Sequence, residues 1–184
     1  MLNIGILVGS LRKESYNMKI AKYIVDKYPE KANFEIVEIR DFPLFNSDLE
    51  EDVPESVLRA KSIIKDKDGI IIVSPEYNHS IPGVLKNALD WFSRGEYVMM
   101  RKPYMIMGAS MGSIGTARMQ GHLRQVLNSP SFKMYSISEN EFLYASIQKN
   151  IDEKGKLTNE RTIAKLDKKI DDFLKFTKVV KEEL

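Results

Sequence analysis

Cysteine is absent from the 184 residues of this chain. That excludes disulfides, thiolate metal sites and cysteine nucleophiles, and it removes any stabilising reason for an oxidising compartment. The expected location is the cytoplasm. An excess of one charge is missing too: 28 lysines and arginines stand against 26 aspartates and glutamates, leaving a formal charge of +2. Basic and acidic residues are interleaved, down to the closing run 178–184. A dedicated nucleic-acid surface would gather its basic residues on one face, so no such partner is expected. No apolar run is long enough to span a bilayer. Residues 1–9 are apolar, but they lack a basic leader and run directly into Arg12 and Lys13, so they read as a buried strand and not as a signal peptide. Internal repeats and linkers are also lacking.

What is present fits one ordinary globular domain over 1–184, with 43% hydrophobic and 29% charged residues, enough to bury a core without covalent staples. Apolar runs at 2–8, 34–39, 69–74, 104–109 and near 141–145 read as strands. Segments of helical period at 17–28, 54–65, 82–93, 116–128 and 159–181 alternate with them. Two of these helices open at proline, where a missing amide proton costs little. This β-α alternation predicts an α/β fold, a parallel sheet with helices on both faces. On the last helix Ile163, Leu166, Ile170, Phe173 and Leu174 form a stripe expected to pack on the sheet. Ligands of open α/β sheets bind beyond the carboxyl ends of the strands, which directs the search to the loops after strands one, three and four.

The first of these loops, from Gly9 to Asn17, runs straight into a helix whose free amides and positive dipole end favour an anion. Its single glycine fits neither the triphosphate loop nor the dinucleotide fingerprint. Ser10, Ser15 and Asn17 instead offer hydroxyl and amide groups, and Arg12 a charged fork suited to phosphate oxygens. The plainer alternative is that Ser15 or Asn17 caps the helix and Arg12 is solvated. The loop after strand three, Ser74-Pro75-Glu76-Tyr77-Asn78-His79-Ser80-Ile81-Pro82-Gly83, is stiffened by two prolines. It can present a hydrogen-bonding edge and an apolar face to a flat ligand. After strand four, Gly108, Gly112 and Gly115 miss the dinucleotide spacing, and a tight strand-to-helix turn explains them adequately.

The run G-S-L-R-K-x-S-x-N after strand one, with S-P-E-Y-N-x-S-I-P-G-V-L-K-N-A-L-D-W-x-S-R after strand three, resembles the NADPH-dependent FMN reductase family. The resemblance implies a flavodoxin-like fold, five parallel strands in the order 2-1-3-4-5, with FMN as cofactor and NADPH or NADH as hydride donor. It implies that Ser10, Arg12, Ser15 and Asn17 hold the FMN phosphate and that Pro75, Glu76, Tyr77 and Asn78 line the isoalloxazine ring. Ser110 and Gly112 are implied on the ring's other side. His79 is a candidate for the edge of the acceptor pocket, although a solvent-facing loop position suits it better, and His122 has no stronger case.

Hydride transfer is the cofactor's chemistry, so no catalytic residue and no metal ligand is nominated. The expected reaction is ping-pong, with nicotinamide and then a quinone, azo compound or free flavin at one open face. A one-electron carrier and a non-catalytic FMN-binding protein are the rival readings, the former weakened by the near-neutral charge. A homodimer or homotetramer is expected because Leu85, Leu89, Trp91 and Phe92 spread over more than one face of their helix.

Overall fold

The computed structural model describes residues 1–138 and 141–183. Its parallel sheet is built from β1 (Asn3–Val8), β2 (Asn33–Val37), β3 (Gly69–Val73), β4 (Tyr104–Ala109) and β5 (Glu141–Tyr144), in the order β2-β1-β3-β4-β5. Helices α1 (Tyr16–Lys27), α2 (Glu55–Lys65), α3 (Gly83–Phe92), α4 (Ala117–Leu127) and α5 (Glu160–Glu183) connect and flank the strands. This is the flavodoxin-like order, whose reversal point lies between β1 and β3.

Side chains of a strand alternate between its faces, and the two cores follow that alternation. Ile4, Ile6, Ile71, Val73, Met105 and Met107 point to the layer of α1 and α5, against Ile20, Ile24, Leu166, Ile170 and Phe173. Leu7, Ile70, Ile72 and Ile106 point to the layer of α2, α3 and α4, against Ile64, Leu85, Leu89, Leu123 and Leu127. Burial on both faces explains why these strands read as continuous apolar runs. Each fully buried isoleucine or leucine contributes about 1.5–3 kcal/mol. The apolar stripe of the last helix packs on the sheet as expected.

Two expectations change. Pro54 and Pro82 are not the first helical residues but sit one position earlier, with extended ψ of 140° and 143°. Their carbonyls accept the first helical bonds, from Val57 and Leu58 and from Leu85 and Lys86. The argument for self-association from α3 also fails, because Leu85, Leu89, Trp91 and Phe92 are all buried within the single chain. The segment after β2 covers them. Phe42 meets Phe92 edge-on at 5.6 Å, Phe45 meets Trp91 at 5.1 Å, and Trp91 Nε1 donates to the Pro43 carbonyl at 2.9 Å. Sequence periodicity could not foresee that an irregular segment would supply the second contact surface.

Asp167 of α5 ties the end of α1 in place, accepting from Lys27 Nζ at 2.7 Å and Tyr28 Oη at 2.5 Å. Partial burial opposes its charge, but the hydrogen bonds from Lys27 and Tyr28 more than offset this and hold its carboxyl below the ordinary 3.8. A depressed carboxylate stabilises the fold above its unfolded pKa and loses that contribution as pH falls through the folded value. Asp167→Asn is therefore expected to lower the melting temperature at pH 7, and to lose less than the parent on acidification from about pH 5 to about pH 3. Thermal melts at both pH values check this; parallel losses would remove Asp167 from the acid-sensitive set.

Candidate functional site

The carboxyl ends of β1, β3 and β4 are brought unusually close. A Cβ on Gly9 would collide with the Ser74 side chain, and one on Gly108 would collide with the Ser74 carbonyl oxygen and Thr116 Oγ1. Only glycine lets the three ends converge, and the loops that follow them enclose an open cavity of about 240 Å³.

On the β1 side, Ser15 is the N-cap of α1, its Oγ accepting from the Met18 amide at 3.3 Å. The remaining first-turn amides have no intrahelical acceptor, and the first turn carries no acidic residue. Such an end attracts an anion. Ser10, Ser15 and Asn17 are buried here, while Arg12 lies exposed at the lip, bonded to the Glu14 carbonyl and 5.1 Å from the centre of the Tyr16 ring. Asn17 does more than the sequence suggests. Its Nδ2 donates to the Ala109 carbonyl at 3.1 Å and its Oδ1 accepts from the Ala109 amide at 2.8 Å, which fixes α1 to the end of β4. Its backbone amide and second side-chain proton are what it has left for a ligand.

On the β3 side, Glu76 is turned to a structural task. Its Oε2 accepts from the amides of Arg118 at 3.0 Å and Met119 at 3.1 Å, and Oε1 faces the Arg118 guanidinium at 3.5 Å. Thr116, at the N-cap of α4, makes no capping bond of its own, so Glu76 satisfies those orphan donors from outside the helix. Asn78 and His79 are the central residues of a tight turn in which Tyr77 and Ser80 exchange backbone bonds of 3.1 and 3.0 Å. Both have positive φ, 49° and 65°, as a type I′ turn requires. His79 is exposed, and His122 Nδ1 lies 3.0 Å from Ser80 Oγ. On the β4 side, Ser110 Oγ accepts from the Gly112 amide at 3.0 Å, and the Gly112 carbonyl accepts from Ser146 at 3.0 Å.

Ser10, Arg12, Ser15, Asn17, Pro75, Glu76, Tyr77 and Ser110 thus line one cavity. Asn78 and Gly112 belong to the adjoining turns. The lining also includes Tyr16, Ala109 and Met111, which sequence reasoning missed. Tyr16 occupies the variable position between Ser15 and Asn17, and Met111 stands between Ser110 and Gly112 in a loop that a tight strand-to-helix turn already explains.

The family model of the NADPH-dependent FMN reductases matches residues 2–149. The chain belongs to this family. It is 37% identical to a quinone reductase of Escherichia coli over 185 aligned residues, covering 98% of this chain and 97% of that protein. It is 36% identical to an NADH:(hydroxy)cinnamate reductase subunit of Vibrio ruber over 179 residues, covering 97% and 89%. The solved flavoenzyme NAD(P)H:(acceptor) oxidoreductase of Paracoccus denitrificans superposes with a TM-score of 0.85 at 34% identity, covering 97% of this chain and 98% of that one. An FMN reductase is an oxidoreductase with FMN as cofactor and a reduced nicotinamide as donor. The cavity fits that cofactor on its own chemistry, since buried hydroxyls, free helical amides and an arginine suit a phosphate.

Asn17→Ala leaves two buried backbone groups of Ala109 without these partners and is expected to cost about 1–3 kcal/mol. Denaturant midpoints measure it, and FMN affinity should fall in the same variant. An unchanged midpoint would mean that α1 is held to β4 by packing alone.

Proposed function

We propose that this reductase binds the FMN phosphate through Ser10, Arg12, Ser15, Asn17 and the first-turn amides of α1. The isoalloxazine ring then lies between the loop of Pro75, Glu76, Tyr77 and Asn78 and that of Ser110 and Gly112. The carrying observation is that eight of these ten residues, drawn from three separate loops, line a single cavity at the reversal point of the sheet. Asn78 and Gly112 act by holding the two turns in shape. Bound FMN supplies the hydride chemistry; the chain supplies position, an apolar contact and an open approach.

Glu76 binds the helix amides of α4, so the loop after β3 meets the ring with its backbone and with Tyr77, and no side-chain base is required. The cavity is open at its lip, where Tyr77 and Met111 are 50% and 59% exposed. One open face serves donor and acceptor in turn, which supports a ping-pong sequence with quinones, azo compounds or free flavin as acceptors. A homo-oligomer belongs to this reading, although α3, whose apolar residues are buried within the chain, gives it no support.

Arg12→Ala is expected to weaken FMN binding by about 1.5–3 kcal/mol, the worth of a charge-assisted hydrogen bond. Flavin titration of the apo-protein reads this directly, and an unchanged dissociation constant would leave Arg12 a solvated bystander. Electrons should leave in pairs: rapid mixing of the NADPH-reduced protein with a quinone is expected to give hydroquinone with no stoichiometric quinone radical by electron spin resonance. A stoichiometric radical would move the assignment to a one-electron carrier.

A further inference from the structure

A second cavity, of about 480 Å³, lies along the outer side of α1 and is shared with the turn that precedes α5. Lys19, Lys22, Tyr23 and Lys27 reach it from α1, at spacings that put them on neighbouring strips of the helix. Lys154 and Lys156 reach it from the turn, and the one carboxylate in the lining is Asp26. Lys27 is engaged with Asp167 at 2.7 Å and Lys19 with Glu14 at 3.1 Å. Among the described residues no carboxylate stands within ion-pair distance of the exposed ammonium groups of Lys22, Lys154 and Lys156. Three cations around one hollow repel each other, and an anion between them relieves that repulsion.

The turn is built to hold its lysines there. Asp152 accepts from the Gly155 amide at 3.0 Å and, through Oδ1, from the Lys156 amide at 2.8 Å, while its own amide donates to the Lys156 carbonyl at 2.9 Å. Gly155 takes a φ of +82°, and its hydrogen faces the stem of Lys19 where a Cβ would stand 3.2 Å away. The turn therefore presses on α1 and sets Lys154 and Lys156 on the rim. The wall below is of another kind: the half-buried ring of Tyr23, the buried Leu157 and the methylene stems of the lysines.

A cationic rim over an aromatic, apolar wall fits a ligand with several negative charges at one end and a flat ring at the other. The volume lies in the range of small-molecule sites. We propose that this cleft binds a nucleoside polyphosphate, its phosphates held by Lys22, Lys154 and Lys156 and its base laid against Tyr23. Lys19 lies one helical turn from Tyr16, which lines the flavin cavity, so the two sites adjoin along α1. The nucleotide has two possible sources, the adenosine diphosphate half of the nicotinamide donor and a free cellular nucleotide. The cleft's chemistry is the same for both, and it does not rest on the flavin reading.

The test titrates the FMN-loaded protein with ADP by calorimetry, with inorganic phosphate and adenosine as separate probes. ADP is expected to bind at least about tenfold more tightly than either probe, and the double variant Lys22→Glu, Lys156→Glu to weaken it by about tenfold or more. Flavin absorption and melting temperature should be unchanged in that variant; if it does not fold, Lys154→Ala supplies the same comparison. Competition of ADP with NADPH in steady-state assays would identify the donor's tail as the occupant, and non-competitive behaviour a free nucleotide. The proposal is overturned if ADP binds no more tightly than phosphate, if the charge reversal leaves ADP affinity unchanged, or if ADP acts only by displacing FMN.

Discussion

The site depends on the close approach of three strand ends around Ser74. With no Cβ at Gly9 and none at Gly108, β1 and β4 press against the backbone and side chain of Ser74 from either side. The loops that leave these ends then start within reach of one ligand. Any larger residue at Gly108 would have to displace the Ser74 carbonyl or the Thr116 hydroxyl, the first being main chain and the second part of the turn into α4. Gly9 and Gly108 thus serve the close packing of the strand ends.

Polar side chains lock that convergence. Asn17 joins the first turn of α1 to the end of β4 through both sides of its carboxamide, and Glu76 joins the loop after β3 to the first turn of α4. Each is a local capping or docking bond in kind, but each crosses between separate elements. These bonds tie the three loops at the cavity to one another through α1 and α4, and a preorganised cavity costs less to fill than one that must assemble around its ligand.

The fold was largely legible in the sequence, because burial on both faces of a parallel sheet leaves unmistakable apolar runs. The element order and the sheet order follow from those runs and from the resemblance of two loop motifs. The candidate residues were legible as a set, whereas their individual duties were not. Glu76 reads as a ring-lining group because the resemblance of its motif implies that role, and nothing local reveals that its partners are amides 42 and 43 residues away. Asn78 reads as a ring-lining residue and His79 as a solvent-facing loop position, and nothing local reveals that the two share the left-handed backbone of one tight turn. The covering of α3 by Phe42, Pro43 and Phe45 was invisible for a related reason: an irregular segment has no periodicity to announce which face it will bury.

On the proposed reading, the division of labour in the cavity bears on how acceptors are chosen. The buried polar groups are gathered near α1, where the proposed reading puts the phosphate, and the most exposed apolar groups at the lip, Tyr77 and Met111, with Ile114 54% exposed in the loop after β4. A site that binds its cofactor by buried hydrogen bonds discriminates strongly, because a wrong ligand leaves those groups unpaired. A site that meets its second substrate with exposed apolar side chains discriminates weakly, since one methylene more or less changes little. Selectivity for the cofactor and tolerance of acceptors can therefore coexist in one cavity without any conflict in its chemistry.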